Sequence, residues 1–342
     1  MMVIRHAEHR DLDDIYALVV KSGIGMTSLP QNKEATAARI ARTRNTLEGQ
    51  LAKGEQGYLF VLEDTELKRV VGISAIEVAV GLLEPFYNFH VGQQVHASQA
   101  LKVYKTLNTL FLSNDYTGCS ELCSLFLDAD FRANNNGKFL SKARLLFIAA
   151  FQSCFEQKII AEMRGFSDAD GQSVFWNALG HHFFSMDFAT ADYLSGVGQK
   201  VFIAELMPRF PLYIDLLPAE AQQVIAQVHP HTQPAYHVLQ SEGLEYQGYI
   251  DIFDAGPSLE AELKNLRAVK TSQIVQVKIV KNPEQQATVD YLIANDQYHD
   301  YRVILNNSTI KQGVIELSDE QAQTLEVKQD NRVRILSLNA SE

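Results

Sequence analysis

The stretch "LFLDADFRANNNGKFLSKARLLF", residues 125–147, constrains the fold more than any other part of the chain. An apolar run of strand length stops at an acid-flanked, Asn-rich turn carrying Arg132 and Gly137, and a strongly apolar helical pattern then resumes. Apolar character this continuous predicts a buried strand followed by a buried helix, which means a sheet with helices layered on it.

The loop between the two has two readings. In the first, the unpaired N–H groups and positive dipole end of the helix start suit an anionic phosphate. Gly137 lets the backbone approach a ligand closely, and Arg132, Lys138 and Lys142 add charge around a pyrophosphate. In the second, the loop is a plain connection in which Asn supplies turn geometry and an N-cap, and such connections are common.

The flanking segments supply the order of elements. "MVIRHAEHRDLDDIYALVVKSG" reads as a strand, an acidic turn and a helix, with Asp11 as N-cap and Ile15, Leu18 and Val19 on one face. Residues 33–52 give a second, more polar helix. "GYLFVLEDTELKRVVGISAIEVAVG" is a hairpin around a charged turn. Residues 84–115 read as irregular and aromatic, with strand pieces at "PFYNFHVG" and "LNTLFLSND". A helix over about 138–155 and a short strand "KIIAEMRG" follow the polar loop. "GQSVFWNALGHHFFSMDF" reads as a helix stopped by Gly180 and then an extended aromatic run. "AYHVLQSEGLEYQGYIDIFDAGP" shows the same grammar, stopped by Gly243, so the two segments are candidate related halves.

From about Thr271 the texture changes to "SQIVQVKIV", "ATVDYLIAN", "YRVILN", "GVIELS" and "RVRILSL", short strands at close spacing. The expected division is residues 1–270 and residues 271–342, the second a small β-rich unit. A chain of 342 residues has room for two such units.

A formal charge of −11 argues against nucleic-acid binding, which needs a basic surface. Cys119, Cys123 and Cys154 are three, with no CxxC pair, which fits a reducing compartment. The start "MMVIRHAEHRDLDD" has no signal-peptide apolar region, and runs such as "LLFIAAF" are too short to span a membrane. The expected location is the cytoplasm, with no membrane partner.

The order strand–helix, hairpin, strand–loop–helix, strand, helix–"LG"–aromatic run resembles the GCN5-related N-acyltransferases. That family binds the coenzyme A pyrophosphate through a loop of the type (Gln/Arg)-x-x-Gly-x-(Gly/Ala) before the helix that follows its fourth strand. Here Asn134-Asn135-Asn136-Gly137-Lys138-Phe139 stands in that place, and only Gly137 matches cleanly. The implied fold class is α+β: an acyl-CoA N-acyltransferase-like mixed sheet flanked by helices, enlarged by insertions, with the β-rich C-terminal appendix.

A closer resemblance covers more of the chain. "GEQGYLFVLED", "GISAIEVAVG", "TLFLSNDYTGCSELCSLFLDADFR", "AEMRG", "FFSMDFATADYLSG", "GQKVFIAELMPRFPLY", "VIAQVHPHTQPA" and "YIDIFDAGPSLE" resemble the arginine N-succinyltransferases in order, from residue 1 to about 270 and less distinctively beyond. The resemblance implies transfer of succinyl from succinyl-CoA to the α-amino group of L-arginine, giving N2-succinyl-L-arginine and CoA, as the opening step of arginine catabolism. Succinyl-CoA is then a co-substrate and no tightly bound cofactor is expected. Leu125 matches the family's succinyl-CoA contact and His229 its proton donor. Because Leu125 is apolar, its contribution falls to its backbone.

Other chemistries find less support. His229, His231 and His237 come without HExxH or CxxC, so no metal is expected. "SGVGQK" holds only part of a dinucleotide fingerprint, and no Gly-x-Ser-x-Gly elbow occurs. Cys119 and Cys123 read as buried small hydrophobes rather than nucleophiles. Attack in a ternary complex is therefore favoured over an acyl-enzyme. A guanidinium calls for a carboxylate, and Asp115, Glu121 and Glu162 are candidates between which the sequence does not choose. The alternatives are another acyl donor, ornithine as acceptor, or a non-catalytic ligand-binding subunit. A homo-oligomer contact is the default expectation for the appendix.

Overall fold

The computed structural model describes residues 1–342 apart from 24–27, 169–170, 197, 199–200, 282, 284–288 and 341–342. The chain opens with β1 (Met2–His6), α1 (Leu12–Ser22) and α2 (Lys33–Leu47), then the strands β2 (Gly57–Asp64) and β3 (Arg69–Glu77). Next come β4 (Asn88–Ser98), β5 (Val103–Ser113), β6 (Ser120–Leu127), α3 (Asn136–Ala150) and β7 (Lys158–Glu162). Short helices α4 (Val174–Ala178), α5 (Gly180–Phe184), α6 (Phe188–Gly196) and α7 (Val201–Leu206) follow. The chain continues through β8 (Leu212–Tyr213), α8 (Ala219–Val224), α9 (Gln233–Ser241), β9 (Glu245–Asp251), β10 (Pro257–Glu262) and α10 (Arg267–Thr271). It closes with β11 (Gln273–Ile279), β12 (Val289–Ala294), β13 (Arg302–Ser308), β14 (Ile310–Lys311), β15 (Val314–Leu317), α11 (Asp319–Leu325) and β16 (Arg332–Ser337).

Among the described residues the strands form one mixed sheet, in the order β14-β15-β11-β16-β12-β13-β1-β2-β3-β6-β7-β10-β9-β4-β5-β8. This is an α+β architecture with a mixed sheet and helices on both faces, as expected. The strand-rich C-terminal segment joins the sheet where β13 pairs with β1, Val3 facing Ile304.

The apolar runs have a simple cause. Along β2, Tyr58, Phe60 and Leu62 enter the core around α3, while Leu59 and Val61 enter the core under α1 and α2. A strand covered on both faces has no solvent side to alternate towards. From α1, Ile15, Leu18 and Val19 reach the second core, as their spacing predicts. Helix α3 is buried along its whole length from Phe139 to Ala149, packed between the sheet and helices α9 and α10. That is why its sequence is apolar almost all round.

Several expectations are corrected. Residues 84–115 are not irregular: β4 and β5 pair in an unbroken antiparallel register from Asn88–Ser113 to Ser98–Val103. Only the base of this hairpin is buried and its outer half is exposed, so the pattern carries little alternation. Gly180 does not stop a helix; it begins α5, and the aromatic run is helical. A Cβ at Gly180 would lie 2.3 Å from the Trp176 ring, so glycine allows the close packing of α4 on α5. Gly243, with φ of 98°, does end α9 ahead of β9, so the two segments do not share one pattern. Asp11 sits at the N-cap of α1 but caps nothing there: its carboxylate pairs with buried Arg5 at 2.7 Å. Among the described residues no helix is long and apolar enough to cross a membrane. The glycine turn expected in "SGVGQK" includes Val197, Gln199 and Lys200, which lie outside the described residues, as do Ala287 and Thr288 at the start of "ATVDYLIAN".

Candidate active site

The site forms where two parallel strands part. β6 and β7 are paired at Ser120–Ile159 and Glu121–Ile160, and among the described residues no pairing continues beyond. On its other side β6 follows β3, but the register slips between Ile73 and Ala75, leaving Ser124 and Leu125 together opposite Ser74. Ser124 takes a left-handed φ of 51°, so the strand bulges at Leu125. The bulge is clamped from below. Arg144 of α3, fully buried, donates to the carbonyls of Cys123 at 3.0 Å and Ala75 at 3.3 Å. Burial lowers its pKa to about 10, against the opposing pull of Cys123 and Glu121.

The Asn-rich loop is wound tightly. Asn134 and Asn135 are both left-handed, with φ of 52° and 62°, which asparagine tolerates well. Asn135 stands at the N-cap of α3 without a side-chain cap, and the Asn136 amide donates to the Phe131 carbonyl at 3.0 Å. Among the described residues the N–H groups of Gly137 and Lys138 have no acceptor, as expected in a first helical turn. A Cβ on Gly137 would meet only the Leu127 side chain, at 3.9 Å. Protein packing therefore does not demand glycine here.

Loop, bulge and strand ends face one cleft of about 1870 Å³. That exceeds the roughly 300–1,000 Å³ of a pocket for one small molecule. Leu125, half-buried, and exposed Arg132 both line it, with Asn134, Gly137 and Lys138. Arg132 donates to the Leu127 carbonyl at 3.2 Å, which holds its stem across the loop. Lys142 is a different matter. It is buried and spent in an ion pair with Glu242 at 2.7 Å, which Arg267 also reaches at 2.7 Å. Lys142 therefore braces α3 against α9, while it also lines the cleft.

The far end of the cleft is acidic. Glu121, Glu162, Asp251 and Asp254 all line it, whereas Asp115 lies outside it, bound to the Tyr249 hydroxyl at 2.7 Å. Burial first, then repulsion from Asp251 and Glu121, raises the Glu162 pKa well above the carboxylate range. Burial and Asp251 do the same to Asp254. Glycines make this end possible: a Cβ at Gly256 would lie 1.9 Å from the Met163 carbonyl. That approach lets Asp254 accept from the N–H groups of Gly165 at 2.7 Å and Gly256 at 2.9 Å.

His229 is half-buried beside the cleft and is not one of the residues that line it. It is tied to two that do. Its backbone N–H donates to the Arg164 carbonyl at 2.9 Å, and its Nδ1 accepts from the His231 N–H at 3.1 Å. Burial, then the charges of Arg164 and His231, lower its pKa. Cys119 and Cys123 are buried, and burial pushes their thiols to about 11 and about 12, which keeps them protonated.

Comparison with known proteins places this geometry. A family model described as arginine N-succinyltransferase beta subunit matches residues 2–268, and one described as the C-terminal domain of that subunit matches residues 273–337. The chain belongs to the arginine N-succinyltransferase family. The arginine N-succinyltransferase of Yersinia pseudotuberculosis (strain YPIII) is 58% identical over 347 residues, spanning 100% of this chain and 99% of that one. That of Escherichia coli (strain 55989) is 52% identical over 342 residues, again 100% and 99%. The solved structure of arginine/ornithine succinyltransferase subunit AI from Pseudomonas aeruginosa superposes with a TM-score of 0.91 at 35% identity, covering 99% of each chain. Membership in the arginine N-succinyltransferase family makes the chain an acyltransferase.

Against that identification, the fold brings Leu125, Arg132 and Gly137 to one cleft and sets His229 next to it through Arg164 and His231. Sequence reasoning passed over Asp251, Asp254 and Arg164. The signal for the first two was present in "DIFDAG", two acids in a glycine turn after a strand, but it becomes a site only once β7 and β9 are near each other.

Proposed function

We propose that this protein transfers succinyl from succinyl-CoA to the α-amino group of L-arginine, releasing CoA. The observation that carries the reading is the meeting of a strand bulge, a helix start with unpaired N–H groups and an acidic far wall in one cleft, within a chain of this family. The cleft volume supports two substrates bound together, and the protonated thiols support direct attack over an acyl-enzyme.

In this reading the pyrophosphate sits against the free N–H groups of Gly137 and Lys138, with Arg132 beside it. The backbone at Leu125, freed from pairing by the bulge, hydrogen-bonds the amide-rich arm of the coenzyme. The neutral α-amine attacks the thioester carbon, and the tetrahedral intermediate collapses with cleavage of the C–S bond. The attacking nitrogen loses one proton as the amide forms and the departing thiolate gains one, and His229 mediates that transfer through Nε2. Because its Nδ1 accepts from His231, its neutral ring carries the proton on Nε2. The family assignment favours His229 over His231, although His231 is the one that lines the cleft.

The division into residues 1–270 and 271–342 belongs to the same proposal, the second unit bracing the first. Lys142 donates to the Leu338 carbonyl at 2.7 Å and Lys138 to Asn339 at 3.1 Å, and Asn339 and Ala340 line the cleft. Free Cys119, Cys123 and Cys154 support a cytoplasmic setting. Exposed Phe210 and Leu216, each 82% accessible, support a homo-oligomer.

The test is thiol release by purified protein with succinyl-CoA, with and without L-arginine, and with acetyl-CoA and ornithine as comparators. Release that needs both succinyl-CoA and arginine is expected. Coenzyme binding without release would instead identify a ligand-binding subunit.

A further inference from the structure

Buried carboxylates in this fold are generally answered by cations. Asp11 has Arg5, Glu77 has both Arg39 and Arg42, and Glu242 has Lys142 and Arg267. The far wall of the cleft breaks that practice. Among the described residues no Lys or Arg pairs with Glu162, Asp251 or Asp254. Asp254 is occupied by the N–H groups of Gly165 and Gly256, and Asp251 by those of Phe253 and Asp254 at 2.7 and 2.8 Å. Among the described residues the Asn88 amide nitrogen donates to the Glu162 Oε1 at 2.6 Å.

Asn88 supports this wall. It is 1% exposed, stands across from Asp251 in the β4–β9 register, and its side-chain oxygen has no hydrogen-bond partner. Asn88 does not itself line the cleft; its amide holds Glu162, which does. Three carboxylates on one wall of the cleft, Glu162, Asp251 and Asp254, suit a planar, multiply donating cation better than a point charge.

We propose that Glu162, positioned by the Asn88 amide, receives the guanidinium of the amino-acid substrate. This rests on the acyl-transfer reading and deepens it by naming the residue that selects the side chain. The reactive end of the substrate does not belong here. The α-amine must lose its proton to attack, and surrounding carboxylates would hold that proton on. The guanidinium stays charged throughout, so it gains from them in ground and transition states alike.

The experiment compares arginine with citrulline, whose neutral ureido group has nearly the same shape, in wild type and in Glu162→Gln. Wild type is expected to prefer arginine by at least about a thousandfold in kcat/KM. In E162Q the arginine KM is expected to rise about a hundredfold with kcat little changed, and the preference to collapse. Calorimetry of succinyl-CoA on E162Q reports whether the variant is folded, and its Kd is expected to match wild type. If E162Q does not fold, Asn88→Ala carries the test, with a tenfold loss of preference expected. An unchanged preference in the folded variant would overturn the assignment. So would a fall in kcat at constant KM, which would make Glu162 the proton acceptor for the α-amine. Calorimetric binding of arginine and citrulline is read without turnover, so a wild type that binds arginine but transfers nothing would sink the acyl-transfer reading alone.

Discussion

Nδ1 of His229 accepts the backbone N–H of His231 at 3.1 Å, a contact that fixes which ring nitrogen of His229 carries its proton. Because its pKa is lowered, His229 is mostly neutral near pH 7, with Nε2–H as the donor. His229→Ala is expected to lower turnover about a hundredfold or more while the Kd for succinyl-CoA stays within about twofold. His231→Ala is the control, and a larger loss there would transfer the role. Stopped-flow thiol release and coenzyme calorimetry on both variants decide between them.

Gly137 separates packing from ligand contact. A Cβ there meets only Leu127 at 3.9 Å, so Gly137→Ala should leave stability unchanged or raise it by up to about 1 kcal/mol. The KM for succinyl-CoA should nevertheless rise about tenfold, as a methyl group intrudes on the phosphate. Arg132→Ala should raise the same KM, and the effect should shrink at high salt. A G137A enzyme with wild-type KM would reduce the loop to a turn.

Leu125 lies in the bulge and contributes through its backbone. Leu125→Ala is expected to cost about 1–2 kcal/mol of stability, because the side chain is only half-buried, with a coenzyme KM within about threefold of wild type. Loss of all succinyl-CoA affinity would show that the side chain itself makes the contact. Urea denaturation and initial-rate kinetics give the two numbers.

Glu242 is 0% exposed and answers Lys142 and Arg267 together. Glu242→Gln would leave two cations without their anion, at an expected cost of about 3–5 kcal/mol. Replacing Lys142 by Met should cost less, because Arg267 still neutralises the carboxylate. Chemical denaturation of both variants checks the order.

His6 links stability to acid. It is buried against Phe60 and Phe147, and burial lowers its pKa from 6.5 to about 4. Between those values the unfolded chain binds a proton that the folded chain refuses, so stability falls as pH drops from 6.5 towards 4. Relative to a His6→Phe variant, wild type should lose about 2–3 kcal/mol between pH 7 and pH 4.5. Equal pH dependence in the two proteins would mean that His6 titrates freely in the fold.

Local order was legible in the sequence. The β2–β3 hairpin, β6, α3, β7 and the α9–Gly243–β9 unit were all readable, because period, strand length and a left-handed glycine are properties of neighbouring residues. The β4–β5 hairpin was misread because its outer half is exposed and alternates little, and the α4–α6 run because its apolar residues face a core assembled from distant segments. Phe89, Trp176, Phe184, Phe188 and Ile250 share one cluster although they lie far apart in the chain.

By itself, then, the sequence determined the element order, the apolar strand–loop–helix centred on Gly137, and, through resemblance, the family. Only the tertiary structure decided what those residues face. It paired Lys142 with Glu242, put Asp115 outside the cleft, and gathered Glu162, Asn88 and Asp251 from β7, β4 and β9. The reason is physical: charge pairing and burial act across space between strands that meet only in the sheet, and no spacing along the chain encodes which carboxylate is left without a cation.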